Sequence, residues 1–340
     1  MPGALTEDRP TVVEQAAVIY EIGAVPVAAF SGAGAVTTFW GDGQMRVFRP
    51  GAGAEEQGVH AGAILCATRH GDAFLTGADD GLFARTTDAG TEQIARFPRK
   101  WVDNVAGGAG GIVACSVGKA VHVFQPDGRT DVLEHPSSVG GVAFDRKGTR
   151  LAVAHYGGVT LWTREKRKWK ASGLKWAGSH VAVTWSPDDR FLVTSMQENA
   201  LHGWRMKDKA PLRMHGYPTK VKGWAWTGTR PWLATTGAGD AILWSFEGIN
   251  GPMGIQPLQV CAGEDALVTS VLGLPGHELV LAGFTDGRIL FSETDGMAEA
   301  KFVKRTRGPA IEVLGAATTE GWLFAAEETG RVHWMPLGRG

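Results

Sequence analysis

The chain has 340 residues, with 34 basic and 35 acidic side chains and a formal net charge of -1, which excludes a nucleic-acid binder held by bulk charge. Its 48 glycines are about twice the usual share, yet they are scattered and 44% of residues are hydrophobic, which excludes collagen and disorder. The three cysteines, Cys66, Cys115 and Cys261, sit in apolar runs without CxxC spacing and read as buried reduced thiols of a cytosolic protein.

The first ten residues, MPGALTEDRP, lack a basic region followed by an apolar one, so no secretory signal is expected. No apolar run approaches the roughly 18 residues that a membrane helix needs, so a cytoplasmic protein without a membrane partner is expected.

In chain order, Val12–Tyr20 (VVEQAAVIY) reads as a spare first strand. Sets of three short strands then follow. The first is Pro26–Phe30, Ala35–Phe39 and Gln44–Phe48; the second is Ala63–Ala67, Ala73–Thr76 and Gly81–Arg85. The third and faintest is Trp101–Ala106, Gly111–Ser116 and Ala120–Phe124. The fourth, Ser138–Trp162, runs VGGVAF, a DRKG turn, RLAVAH, a Tyr156-Gly157-Gly158 turn and VTLW. The fifth is the most legible: His180–Trp185, a Ser186–Asp189 turn, Arg190–Ser195, a Gln197–Asn199 turn and Ala200–Arg205. The sixth, from Lys220 to Trp244, repeats that layout; the seventh is Leu267–Leu272, Glu278–Ala282 and Arg288–Phe291. The eighth is Ala310–Leu314, Trp322–Ala326 and Arg331–Trp334.

First strands recur at a mean spacing of about 41 residues, inside the range of a four-stranded propeller blade. The intervals leave room for a fourth strand, as at Thr130–Glu134 or Leu212–His215. The last set lacks one, and the spare N-terminal strand would supply it and hide an open sheet edge.

These motifs, VTWSPDDRFLVTSMQENALHGW and VAFDRKGTRLAVAHYGGVTLW above all, resemble the WD40-repeat β-propeller family over about residues 12–336. The style is that of bacterial single-domain WD40 proteins. The resemblance implies an all-β WD40-like β-propeller; the eight three-strand sets make it eight-bladed, with seven blades, the commoner family number, as the alternative. One domain is expected over 1–340, its ring closed by strand 12–20 pairing with the last blade, 310–335. The family ends its blades in Trp-Asp. Here Trp162, Trp204, Trp244 and Trp334 hold the Trp position, but Thr163, Arg205, Ser245 and Met335 follow them. Only the second blade keeps much of the family's His–Ser/Thr–Asp–Trp network, with His60, Thr76 and Asp79 or Asp80.

In the family, the fourth-to-first and second-to-third strand loops share one face, usually the binding face. That carry-over assigns Lys100, Trp101, Asp103, Tyr156 and His180 to a partner-binding rim. It adds Tyr217, Lys220, Lys222 and Trp224. Aromatic and basic groups on a rigid rim suit a protein or peptide partner. The basic runs Arg164–Lys170 and Lys301–Arg307 could hold phosphate or single strands, but they read better as solvated loops. The GGAGG stretch Gly107–Gly111 lacks a following helix and reads as a turn.

Catalytic motifs are missing: there is no HExxH, GxSxG or Walker sequence, and no enzyme or cofactor is expected. The nearest candidate metal pair is His155 with His180. The expected function is therefore a non-catalytic interaction scaffold. Two alternatives stand beside it. One is an accessory protein with a small-ligand or metal site at the channel mouth, which the resemblance links to a metal-homeostasis GTPase of the CobW type. The other is an eight-bladed propeller enzyme.

Overall fold

The structure is a computed structural model that describes residues 9–338. The Met1–Asp8 stretch read for a secretory signal lies outside the described residues. A short helix, α1 (Val12–Gln15), opens the chain and β1 (Val18–Glu21) follows. Next come β2 (Pro26–Ser31), β3 (Val36–Trp40), β4 (Gln44–Phe48) and β5 (Ala54–Gly58), then β6 (Ile64–His70), β7 (Ala73–Ala78), β8 (Leu82–Thr87) and β9 (Gly90–Arg96). They are followed by β10 (Asn104–Gly107), β11 (Val113–Val117), β12 (Ala120–Phe124) and β13 (Thr130–Glu134). The middle of the chain holds β14 (Val139–Phe144), β15 (Arg150–Glu165), β16 (Lys168–Trp185), β17 (Phe191–Met196), β18 (Ala200–Arg205) and β19 (Ala210–Met214). The remainder is β20 (Trp224–Thr227), β21 (Trp232–Thr235), β22 (Ala241–Ser245), β23 (Leu258–Val260), β24 (Val268–Gly273), β25 (Leu279–Phe284), β26 (Ile289–Glu293), β27 (Lys301–Lys304), β28 (Ile311–Ala317), β29 (Trp322–Glu327) and β30 (Arg331–Pro336).

These strands form seven antiparallel sheets, so the expected count of eight blades is corrected to seven. Six sheets have four strands; the seventh, β14 to β19, has six. The reason lies in three glycines. The sequence reads Tyr156-Gly157-Gly158 as a turn, and the 16-residue β15 does fold back there, since the Arg164 N–H donates to the Thr149 carbonyl (2.8 Å). β16 likewise holds Gly178 within its 18 residues. Tyr156 pairs with Ser179, the ladder resumes at Gly158↔Lys175, and the register shifts in between. Gly157 (φ 89), Gly158 (φ 136) and Gly178 (φ 121) turn the backbone at this interruption, and the pairing of Tyr156 with Ser179 joins the two repeats across it. The fourth and fifth repeats thus share one sheet.

The N-terminal expectation is also corrected in part. Val12–Gln15 is helical, not extended. Thr11 and Glu14 form a capping box: the Glu14 N–H donates to Thr11 Oγ1 (3.1 Å) and the Thr11 N–H donates to Glu14 Oε2 (3.3 Å). β1 then pairs antiparallel with β30, Val18 opposite Trp334 and Glu21 opposite Arg331.

The chain divides into two compact units. Of the described residues, the first comprises 9–40, Met45–Glu56 and 217–338; the second comprises Gly41–Gln44 and Gln57–Gly216. In the first unit, Val36, Trp40, Phe48, Phe324 and Trp334 pack as one buried cluster. Its rings meet at centroid separations of 4.9 Å (Phe48–Phe324) and 6.2 Å (Phe48–Trp334). Such pairs contribute about 0.5–1.5 kcal/mol each beyond burial. In the second unit, Leu75, Phe83, Val105 and Cys115 form one cluster, and Leu192, Trp185 and Trp204 anchor another.

Neighbouring innermost strands come close enough to demand glycine. A Cβ on Gly140 would sit 2.2 Å from the carbonyl oxygen of His180. Gly173 has no such neighbour; its nearest contact would be 4.0 Å away. Gly140→Ala is expected to lower the unfolding free energy by ~2 kcal/mol or more, and Gly173→Ala to leave it within ~0.5 kcal/mol. Urea denaturation midpoints of the two variants check this, and equal midpoints would refute the close approach.

Candidate functional site

In the second unit the starts of β10 and β14 lie together. The Asn104 amide donates to Ser116 Oγ (2.9 Å) and to the Val139 carbonyl (3.4 Å), which ties the start of β10 to the start of β14. The Val139 N–H donates to the Gly118 carbonyl (2.9 Å), and the Tyr156 N–H to Ser137 Oγ (3.1 Å). Gly140 packs on the His180 backbone. Lys100, Trp101, Asp103, Tyr156 and His180 are therefore brought to the same end of this unit.

Their roles differ. Trp101 is 62% exposed and Tyr156 is 69% exposed. Lys100 is exposed and Asp103 half-buried. Burial raises the Asp103 carboxyl, and a bond from the Gly118 backbone partly offsets it. His180 is only 1% exposed, so it offers a partner no surface. Its Nδ1 meets Thr194 Oγ1 at 2.8 Å and its Nε2 meets the Trp176 carbonyl at 3.2 Å.

The other four expected residues belong to the first unit. Tyr217 is buried and structural. The Trp244 Nε1–H donates to the Tyr217 hydroxyl (2.6 Å), which also bonds Thr235 Oγ1 (2.7 Å). Tyr217 thus fills the place a histidine takes elsewhere: in the second unit the Trp162 Nε1–H donates to His135 Nε2 (3.0 Å). The His60 network also forms there, through Thr76 (2.8 Å) and Asp80 (3.3 Å), while Asp79 accepts the Ala63 N–H instead. Lys220 is half-buried, Lys222 exposed and Trp224 half-buried. Lys222 and Trp224 line a cavity of about 360 Å³ with residues of β2, β24 and β28. Sequence reasoning missed Glu312, which lines it too; no motif marks that position.

A second cavity of the first unit, about 320 Å³, has apolar walls from Leu279, Leu281, Phe291, Phe302 and Trp322. It can take an apolar group; His277 is its one imidazole.

The candidate metal pair, His155 and His180, uses all four ring nitrogens on the fold. His155 Nδ1 meets the Tyr156 carbonyl and Nε2 meets Thr160 Oγ1, both at 2.9 Å. Among the described residues no group of three or more His, Cys, Asp or Glu side chains could hold a metal ion. The three thiols are unsuited to nucleophilic work: burial pushes Cys66 and Cys261 up to about 12 and raises Cys115 as well. Among the described residues no helix is long and apolar enough to cross a membrane.

Burial lowers the pKa of His60, His135, His180 and His202, and pushes His202 down to about 3. His202 stacks on Trp176 at 3.9 Å, and its buried Nε2 has no hydrogen-bond partner among the described residues. A histidine depressed in the folded state stabilises fully above its unfolded pKa of about 6.5. Below that pH the unfolded chain binds more protons, and the stabilisation is lost as pH falls toward the folded value. Stability is therefore expected to drop by several kcal/mol between about pH 6.5 and pH 4. His202→Phe keeps a ring against Trp176 and should flatten that limb; an unchanged limb in pH-dependent denaturation would refute the assignment. Tyr217→Phe strands the Trp244 N–H and should lower stability by about 1–3 kcal/mol at neutral pH, read from the denaturation midpoint.

No protein-family model matches the chain, and no curated protein matches its sequence. Solved structures do match its fold. The computationally designed Ika8 protein superposes with a TM-score of 0.72 at 15% identity, covering 92% of this chain and 96% of that one. The C-terminal WD40 domain of Sif2 superposes with a TM-score of 0.71 at 12% identity, covering 95% of this chain and 99% of that one. With seven antiparallel sheets of this strand order, the chain has the fold of the WD40-repeat β-propellers.

Proposed function

We propose that this chain is a non-catalytic interaction scaffold that holds a protein or peptide partner at the strand-start end of its Gln57–Gly216 unit. One observation carries the reading: Trp101 and Tyr156, large aromatics at one end of a rigid unit, are mostly in water. Covering them would remove roughly 150 Å² each, about 3–4 kcal/mol of apolar burial per ring. Buried inside the sheets the same rings would stabilise the fold, as Trp185 and Trp204 do. Left exposed, they stabilise an interface, where aromatics dominate binding energy. Exposed Lys100 and half-buried Asp103 supply a polar edge around them.

The likeness to a WD40 domain supports the scaffold reading at the level of fold. The protonated, buried thiols remove the cysteines as nucleophiles.

The test starts with a photo-crosslinking side chain at position 101 to capture the partner, followed by titration of the purified pair. Trp101→Ala/Tyr156→Ala should weaken binding by about a hundredfold or more. Its denaturation midpoint should stay that of the parent, since both rings are exposed. Met297→Ala, at an exposed residue of the first unit, should leave binding unchanged. Retained affinity in the double variant would overturn the reading.

A further inference from the structure

The 360 Å³ cavity of the first unit has a construction that defines its ligand. Three of its walls come from β-bulges at the same place in three sheets. The β2–β3 ladder skips Val27 between Pro26 and Ala28. The β24–β25 ladder skips Thr269 between Val268 and Ser270, and the β28–β29 ladder skips Glu312 between Ile311 and Val313. The fourth wall replaces the bulge with a loop. The Lys222 and Gly223 N–H groups both donate to Thr236 Oγ1, at 3.2 and 3.0 Å, just before β20 begins. A bulge frees one residue from the ladder and re-aims it. Here the freed residues Val27, Thr269 and Glu312, together with Lys222, all line one cavity.

Their chemistry is mixed and unspent. Among the described residues, neither the Lys222 ammonium nor the Glu312 carboxylate has an ion-pair partner, although the two line the same cavity. The Thr269 and Ser270 hydroxyls are anchored on the Ile311 carbonyl (2.7 Å each). Those bonds neutralise neither charge. Ala29, Val271 and Leu314 give an apolar base, and Trp224 an aromatic side. The volume lies at the low end of small-molecule sites, which start at roughly 300 Å³.

The geometry points to a binding site for a short zwitterionic peptide of two or three residues, its carboxylate on Lys222, its ammonium on Glu312 and an apolar side chain on the base between them. A ligand with one charge would leave the other charged group unanswered, and an apolar one would leave both. A zwitterion with separated ends answers each. The site lies in the first unit and does not depend on Trp101 or Tyr156, so the two proposals stand or fall separately.

The test is calorimetric titration of the full chain with the dipeptide Ala-Leu, its N-acetyl form and its C-terminal amide. Ala-Leu should bind, and each blocked form should bind about tenfold more weakly or worse. Lys222→Glu and Glu312→Lys should each abolish detectable binding of Ala-Leu. Joined in one chain, the two reversals should restore it to within about threefold, because a zwitterion can reverse its direction in the site. Restoration by a second charge change is not what a folding defect would produce. Equal affinity for blocked and free dipeptides, no binding of any of the three, or a double variant that folds like the parent yet fails to bind would each overturn the proposal.

Discussion

The distance between innermost strands of adjacent sheets is the constraint on which the structure depends. Within the first unit, a Cβ on Gly273 of β24 would meet Thr227 Cβ of β20 at 2.6 Å, and one on Gly315 of β28 would meet Ala29 Cβ of β2 at 3.2 Å. Within the second, a Cβ on Gly107 of β10 would meet His70 Cβ of β6 at 2.9 Å. Within each unit neighbouring sheets converge on these strands, and only a missing side chain lets the backbones approach so closely. Outward from there the gap widens and large rings fill it, as Trp40, Phe48, Phe324 and Trp334 do. The glycine content is thus a packing requirement as well as a supply of turns.

That double use of glycine explains what the sequence reveals and what it hides. The three-strand sets are legible because alternation of period two, broken by Gly and Asp turns, survives in nearly every repeat. The number of sheets is not. Gly157, Gly158 and Gly178 are turn glycines, but the pairing of Tyr156 with Ser179 beside them joins the fourth and fifth repeats into one sheet. A pairing made across two turns leaves no local signal in the sequence. The helix at Val12–Gln15 was within reach: Thr11 and Glu14 have capping-box spacing, and apolar alternation outweighed it.

The site was less legible than the fold, for a different reason. Loop position identifies the end of a sheet but not the depth of a side chain. Tyr217 and His180 sit at the expected end, yet both are buried and hydrogen-bonded to threonines, Thr235 and Thr194. Trp101 and Tyr156, equally placed in the chain pattern, stay in water. Nothing in the residue types separates the two pairs. The difference is whether a threonine on the neighbouring strand waits to receive the polar atom.

The bulges connect packing to chemistry. Each inner strand that carries one releases a residue that the ladder does not need, so its side chain varies without cost to the sheet. In the second unit the released positions are Leu65, Gly140 and Val181, which bring no charge. In the first they are Val27, Thr269 and Glu312, with Lys222 in the corresponding loop. One backbone device therefore yields two kinds of surface. Where the freed residues are apolar or absent, the proposed contact rests on exposed rings such as Trp101 and Tyr156, which would favour a broad partner. Where they carry a hydroxyl and opposite charges, the proposed ligand is held by two charged ends, which would favour a small molecule over a large one.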